Sequence, residues 1–77
     1  MDKLQFYARL ADALDVETMA PETVLRDLDE WDSLAVLSVL ALADASYGVT
    51  IAPEDLRAAT TAADLASLVE RLGSGGS

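Results

Sequence analysis

Apolar positions recur at helical spacing in three stretches of the chain, and both prolines and many of the acids fall between them. Leu4, Tyr7, Ala8, Ala11 and Leu14 follow the i, i+3, i+4, i+7 pattern, which predicts a first helix from Asp2 to about Leu14 with those side chains inward. A second helix is expected from Ser33 to about Ser46, a run rich in good helix formers and free of Gly and Pro, ending at Gly48. Val49-Thr50-Ile51 alternates like an extended connector, and Pro53 then opens a short helical turn, PEDLRA, with Pro at its first position. Thr60-Thr61 caps a last helix running to about Leu72, with Leu65, Leu68, Val69 and Leu72 inward. Thr61 and Asp64 have the spacing of a capping box with the shorter acid.

The stretch from Asp15 to Asp32 does not follow this pattern. Pro21 interrupts it, and Glu22, Asp27, Asp29, Glu30 and Asp32 crowd its second half. A structureless connection longer than about 12–15 residues is uncommon in a compact domain. Val24, Leu25, Leu28 and Trp31 are placed to anchor it onto the core, so an ordered loop is expected. The predicted fold is all-α: a four-helix bundle of three main helices plus one short helix, with a long first loop.

The second helix has more apolar positions than one buried face needs. At 100° per residue Val36, Val39, Leu40, Ala43 and Tyr47 share the inward stripe, while Leu34, Leu37 and Ala41 lie on a separate arc edged by Ser38, Asp44 and Ala45. That arc either packs under the long loop or is a docking face for another protein.

Composition narrows the function. Seventy-seven residues make one small domain with a thin stability margin. There is no cysteine, hence no disulfide and no thiolate metal site, and no histidine to act as a general base at neutral pH. The formal charge of −9 argues against nucleic acid as a partner. No apolar run is long enough to span a membrane, and the amphipathic N-terminus lacks a signal-peptide pattern, so a cytoplasmic monomer is expected. Residues 73–77, GSGGS, have the composition of a flexible linker or an appended tail and are set apart from a domain of residues 1–72. Met1 just ahead of the first helix is the placing expected of a free-standing domain.

The candidate chemistry sits at Asp32-Ser33. Both residue types favour helix N-caps, and one cap contributes about 0.5–2 kcal/mol, so capping alone accounts for one of them. Asp32 suffices as the cap. A hydroxyl at the next position points outward, among unpaired N–H donors at the positive end of the helix dipole. That environment favours a phosphate ester while the neighbouring Asp32 works against it, so the serine is a suitable acceptor and not an ideal anion site. Ser33 is not a self-activated nucleophile, because nothing in the chain would take its proton. Asp27, Asp29 and Glu30 read as a solvated acidic loop, without the spacing and Gly of a calcium site. No enzyme activity and no dedicated metal are expected.

With "DSL" opening the second helix of a small acidic helical domain, residues 4 to 72 resemble the acyl and peptidyl carrier proteins. The resemblance implies that Ser33 carries 4′-phosphopantetheine, installed from coenzyme A by a Mg-dependent phosphopantetheinyl transferase. The terminal thiol of that arm then holds acyl or aminoacyl groups as thioesters. It further implies that Asp32 is the acid used beside the attachment site and Leu34 the apolar residue that follows. Val24 and Leu28 match the family's loop anchors, and Tyr47-Gly48-Val49-Thr50-Ile51 matches its aromatic-x-apolar-x-apolar stretch. A carrier needs no catalytic apparatus of its own, which fits a chain without His or Cys.

Two features depart from the fatty-acid type. The lead-in Leu28-Asp-Glu-Trp-Asp-Ser-Leu is one residue longer and has Trp31 but no glycine. The second helix has Ala35, Ser38 and Ala45 where acids are usual, and keeps only Asp44. A dedicated pathway of polyketide, nonribosomal peptide or other specialised metabolism is therefore expected. The partners would be the transferase and an acyl- or aminoacyl-loading enzyme or synthase, meeting Leu34, Leu37 and Ala41, with Asp29 and Glu30 as the competing contact. The alternative is a cofactor-free acidic helical docking module using the same arc.

Overall fold

A computed structural model describes residues 2–28 and 31–75. Four helices are present among them: α1 (Lys3–Ala13), α2 (Ser33–Tyr47), the short α3 (Pro53–Ala58) and α4 (Ala62–Gly75). A 3-10 turn, Leu25–Asp27, lies in the connection before α2. The described residues contain no strand, only an isolated antiparallel bridge between Val24 and Thr61. The predicted arrangement of three main helices, one short helix and a long first loop is the one observed. α1 packs on α2 and α4, and α2 also meets α3 and α4.

The ends of the helices follow from local chemistry. Asp2 caps α1 by accepting the Gln5 N–H at 3.3 Å. Gly48 ends α2 with φ at 63°, a left-handed conformation that glycine adopts without a Cβ penalty. α1 closes with the Asp15 N–H donating to Asp12 and the Val16 N–H to Ala11, the Schellman pattern, and it places Asp15 at φ 57° where glycine is usual. Pro53 begins α3, and the buried Leu56 ties it to the core.

The first connection is docked onto the start of α4. Leu25 N–H donates to Thr60 C=O at 3.0 Å, and Ala62 N–H donates to Thr23 C=O at 3.0 Å. Ala63 N–H reaches Pro21 C=O at 2.8 Å. The predicted capping box is also formed: Asp64 N–H donates to Thr61 Oγ1, and the Thr60 and Thr61 N–H groups donate to Asp64 Oδ2, each at 3.2 Å. The first amides of α4, which lack partners within the helix, are thus satisfied by the loop and by the box.

The core gathers Phe6, Leu10, Leu25, Val39, Leu56 and Leu65 at its centre. Phe6 stacks edge-on with Tyr7 and tilted against Tyr47, with ring centroids 5.9 Å and 5.7 Å away, within the favourable range for aromatic pairs. Three expectations need correction. α1 is turned about its axis: Phe6 and Leu10 are buried, while Leu4 is 81% exposed and Ala8 is also at the surface. Both stripes share Tyr7 and Ala11, and the one holding Phe6 and Leu10 buries more apolar area than the one holding Leu4 and Ala8. In α2 the stripe centres on the buried Val39 and Ala43, leaving Val36, Leu40 and Tyr47 at the core's edge together with Leu42. In α4, Ala62, Leu65, Ala66, Leu68 and Val69 are buried, but Leu72 is 37% exposed, and it is Gly73 that lies against the buried Val49.

α4 also runs to Gly75, beyond the expected end near Leu72. Neither proline nor a left-handed cap stops it at Leu72, and extending a formed helix through Gly costs only about 1 kcal/mol per residue relative to Ala.

The orientation of α1 generates a direct test. Leu10→Ala should cost about 2–5 kcal/mol in chemical denaturation, as large-to-small changes in a packed core do. Leu4→Ala should stay within about 0.5 kcal/mol of the parent. The reverse order would restore the Leu4 face as the inward one.

Candidate functional site

The start of α2 is positioned by a series of three-residue turns. Asp27 N–H donates to Val24 C=O, Leu28 N–H to Leu25 C=O and Trp31 N–H to Leu28 C=O, at 3.1–3.2 Å. Leu25 is buried, and Leu28 and Trp31 pack against the core, so every third side chain pins the segment down. Asp29 and Glu30, expected as a partner contact, lie outside the described residues; Glu22 and Asp27 are exposed.

Asp32 is the N-cap of α2. Its Oδ1 accepts the Ala35 N–H at 3.0 Å, and its C=O accepts the Val36 N–H at 3.0 Å. Ser33 follows as the first helical residue, exposed to solvent. The N–H groups of Ser33 and Leu34 meet no acceptor among the described residues, which leaves two donors facing outward at the positive end of a 15-residue helix. The division of labour expected from the sequence is present in the geometry: the acid caps, and the hydroxyl stays accessible.

Leu34 and Leu37 are 71% and 60% exposed, and Ala41 on the same arc is exposed as well. The long loop does not cover them. Ser38 is half-buried and donates its hydroxyl to Leu34 C=O at 3.0 Å, so the position reads as a helix-internal bond. Asp44 and Ala45 are exposed farther along the helix. Beyond α2, Val49 and Ile51 are buried and Thr50 between them is exposed, the alternation expected of an extended connector. The Tyr47 hydroxyl is buried with no hydrogen-bond partner among the described residues.

A feature the sequence did not disclose lies beside Ser33. The end of α1 and the start of α2 enclose a half-open cleft of about 210 Å³. Its α1 wall is the turn at Asp15, whose left-handed backbone has no signature in a residue that usually avoids it.

None of the described helices is long and apolar enough to cross a membrane. No cluster of potential metal ligands occurs among the described residues. The family described as phosphopantetheine attachment site matches residues 5–69, from the first turn of α1 to the last buried turn of α4. Curated proteins and solved structures give no match to the chain.

Proposed function

The chain belongs to the phosphopantetheine attachment site family, and we propose that Ser33 is the residue that receives the group. Members of this family hold a covalently attached 4′-phosphopantetheine, which makes the chain a carrier domain and sets aside the cofactor-free docking module. Such domains are generally non-catalytic, and their partners are modifying transferases and acyl-handling enzymes.

The observation that carries the assignment is the exposed Ser33 hydroxyl on the first turn of α2, directly after an aspartate that already caps the helix. The residues fit the group. The helix dipole and the exposed hydroxyl suit a phosphodiester, while the Asp32 carboxylate on the same helix end opposes its charge. Ser33 is therefore a suitable attachment point, and the helix end is not a strong anion site by itself. When bound, the group supplies a terminal thiol that takes acyl or aminoacyl units as thioesters. In the transfer, Ser33 Oγ forms the new P–O bond, the adenosine bisphosphate half of coenzyme A leaves, and the hydroxyl proton passes to the transferase, since the chain has no histidine. Asp32 caps the helix through Oδ1 and would be the acid that the transferase uses beside the attachment site.

The carrier domain is assigned to residues 1–72, with α4 running past that bound to Gly75. Its pathway is a specialised one, of polyketide, nonribosomal peptide or related type, in the cytoplasm. The basis is the scarcity of acids on α2, where only Asp44 remains. Partners read Leu34, Leu37 and Ala41, and the acidic loop around Asp29 and Glu30 is the second contact to be weighed.

Incubation with coenzyme A, Mg²⁺ and a promiscuous phosphopantetheinyl transferase should raise the intact mass by one phosphopantetheine group. Ser33→Ala should fold normally, because Asp32 still caps α2, and should gain nothing. Labelling that persists in this variant would move the site to another hydroxyl.

The partner face has its own test. Leu37→Glu should keep the helical circular-dichroism signal and slow acyl loading by the cognate enzyme. Wild-type loading should depend only weakly on salt, because apolar contacts are not screened while exposed ion pairs weaken as the Debye length falls below about 10 Å. If neutralising Asp29 and Glu30 together slows loading more than Leu37→Glu does, and moderate salt abolishes it, the partner reads the loop.

A further inference from the structure

We infer that the cleft between the end of α1 and the start of α2 is a cradle for the first segment of the phosphopantetheine arm, holding it against this chain between encounters with partners. The inference rests on Ser33 as the attachment point. Leu34, Ala35 and Ser38 form one wall of the cleft, Ala13, Leu14 and Asp15 the other, and Asp32 lies at its mouth. Ser33 does not line the cleft, but both its neighbours, Asp32 and Leu34, do, so an arm attached to it starts within reach of the opening.

The lining matches the chemistry of that segment. Beyond its phosphate the arm has a methylene, then a carbon bearing paired methyl groups, then a carbon bearing a hydroxyl, then an amide. Leu14, Leu34, Ala13 and Ala35 offer apolar surface to the methyl groups. The polar atoms around them are chiefly acceptors. The Asp15 carboxylate is exposed, and the Ala13 C=O at the end of α1 receives no N–H from the described residues. The Ser38 hydroxyl donates to Leu34 C=O, so what its oxygen can still offer is an acceptor. An arm hydroxyl and amide N–H supply the donors this rim lacks.

Size sets how much of the arm enters. At about 210 Å³ the cleft is smaller than the roughly 300–1,000 Å³ of pockets that enclose a whole small molecule. It takes the segment next to the phosphate and leaves the thiol end free for partner enzymes. Two larger clefts, one of about 450 Å³ beneath α1 and one of about 240 Å³ between α3 and α4, contain no residue of α2 and do not border Ser33.

The test compares apo and holo protein by NMR, with intact mass confirming that the arm is attached. Holo protein should show amide shifts at Ala13, Leu14 and Asp15, remote in sequence from Ser33, and nuclear Overhauser contacts from the arm's methyl groups to Leu14 and Leu34. Ala13→Phe, which fills the cleft, should still gain the arm's mass and lose those contacts. Shifts confined to Ser33 and its immediate neighbours, or contacts made to α3 instead, would overturn the cradle while leaving the attachment site intact. Absence of any mass gain in the wild-type chain would overturn both.

Discussion

The backbone pairing between the first connection and the start of α4 is the constraint on which the rest of the molecule depends. Thr23 and Pro21 supply carbonyls to Ala62 and Ala63, and Thr60 returns one to Leu25. Each bond satisfies a group that would otherwise be left unpaired at a helix end or in a half-buried loop, where an unmet donor costs about 1–3 kcal/mol. The exchange joins two weak elements: a helix whose first amides need acceptors and a loop whose backbone needs donors. Leu25 is buried as a result, and the bonds Asp27–Val24, Leu28–Leu25 and Trp31–Leu28 lead toward Asp32. The accessible hydroxyl of Ser33 is thus held by a loop anchored on the opposite end of the chain.

The second consequence is the use made of α2. In a domain this small only part of its surface can be buried, and the Val39–Ala43 stripe takes that part. Leu34 and Leu37 remain in water, beside Ser33 and next to a cleft that runs to α1. Under the proposed assignment of Ser33, apolar exposure on the helix that begins there suits a carrier: one rigid element would present the arm and offer a surface to partners. No buried charged group complicates the packing of the described residues.

Much of this was legible in the sequence because it rests on local rules. The Asp32 cap, Gly48 in a left-handed conformation, Pro53 opening α3 and the Thr61–Asp64 box are each dictated by a side chain and its nearest backbone neighbours. The orientation of α1 was less legible, since two overlapping stripes are both helical in period and only tertiary packing chooses the one with Phe6 and Leu10. The exposure of Leu72 depends in the same way on tertiary packing. The cleft beside Ser33 was not legible at all. It arises from two elements far apart in sequence and from a left-handed aspartate that no pattern announces. Nor does a pattern reveal that Val24 and Thr61 would meet.

The central claim is that the first connection is an integral part of the fold and holds Ser33, the serine proposed to receive the arm. Amide hydrogen exchange reads this directly at Leu25, Ala62 and Ala63. If the pairing holds, those amides exchange as slowly as amides in the middle of α2 and α4, because they open only with the whole domain. If Leu25 and Ala62 exchange at the rate of an unstructured loop while the helices stay protected, the connection is a mobile tether, and the account of how Ser33 is held is contradicted.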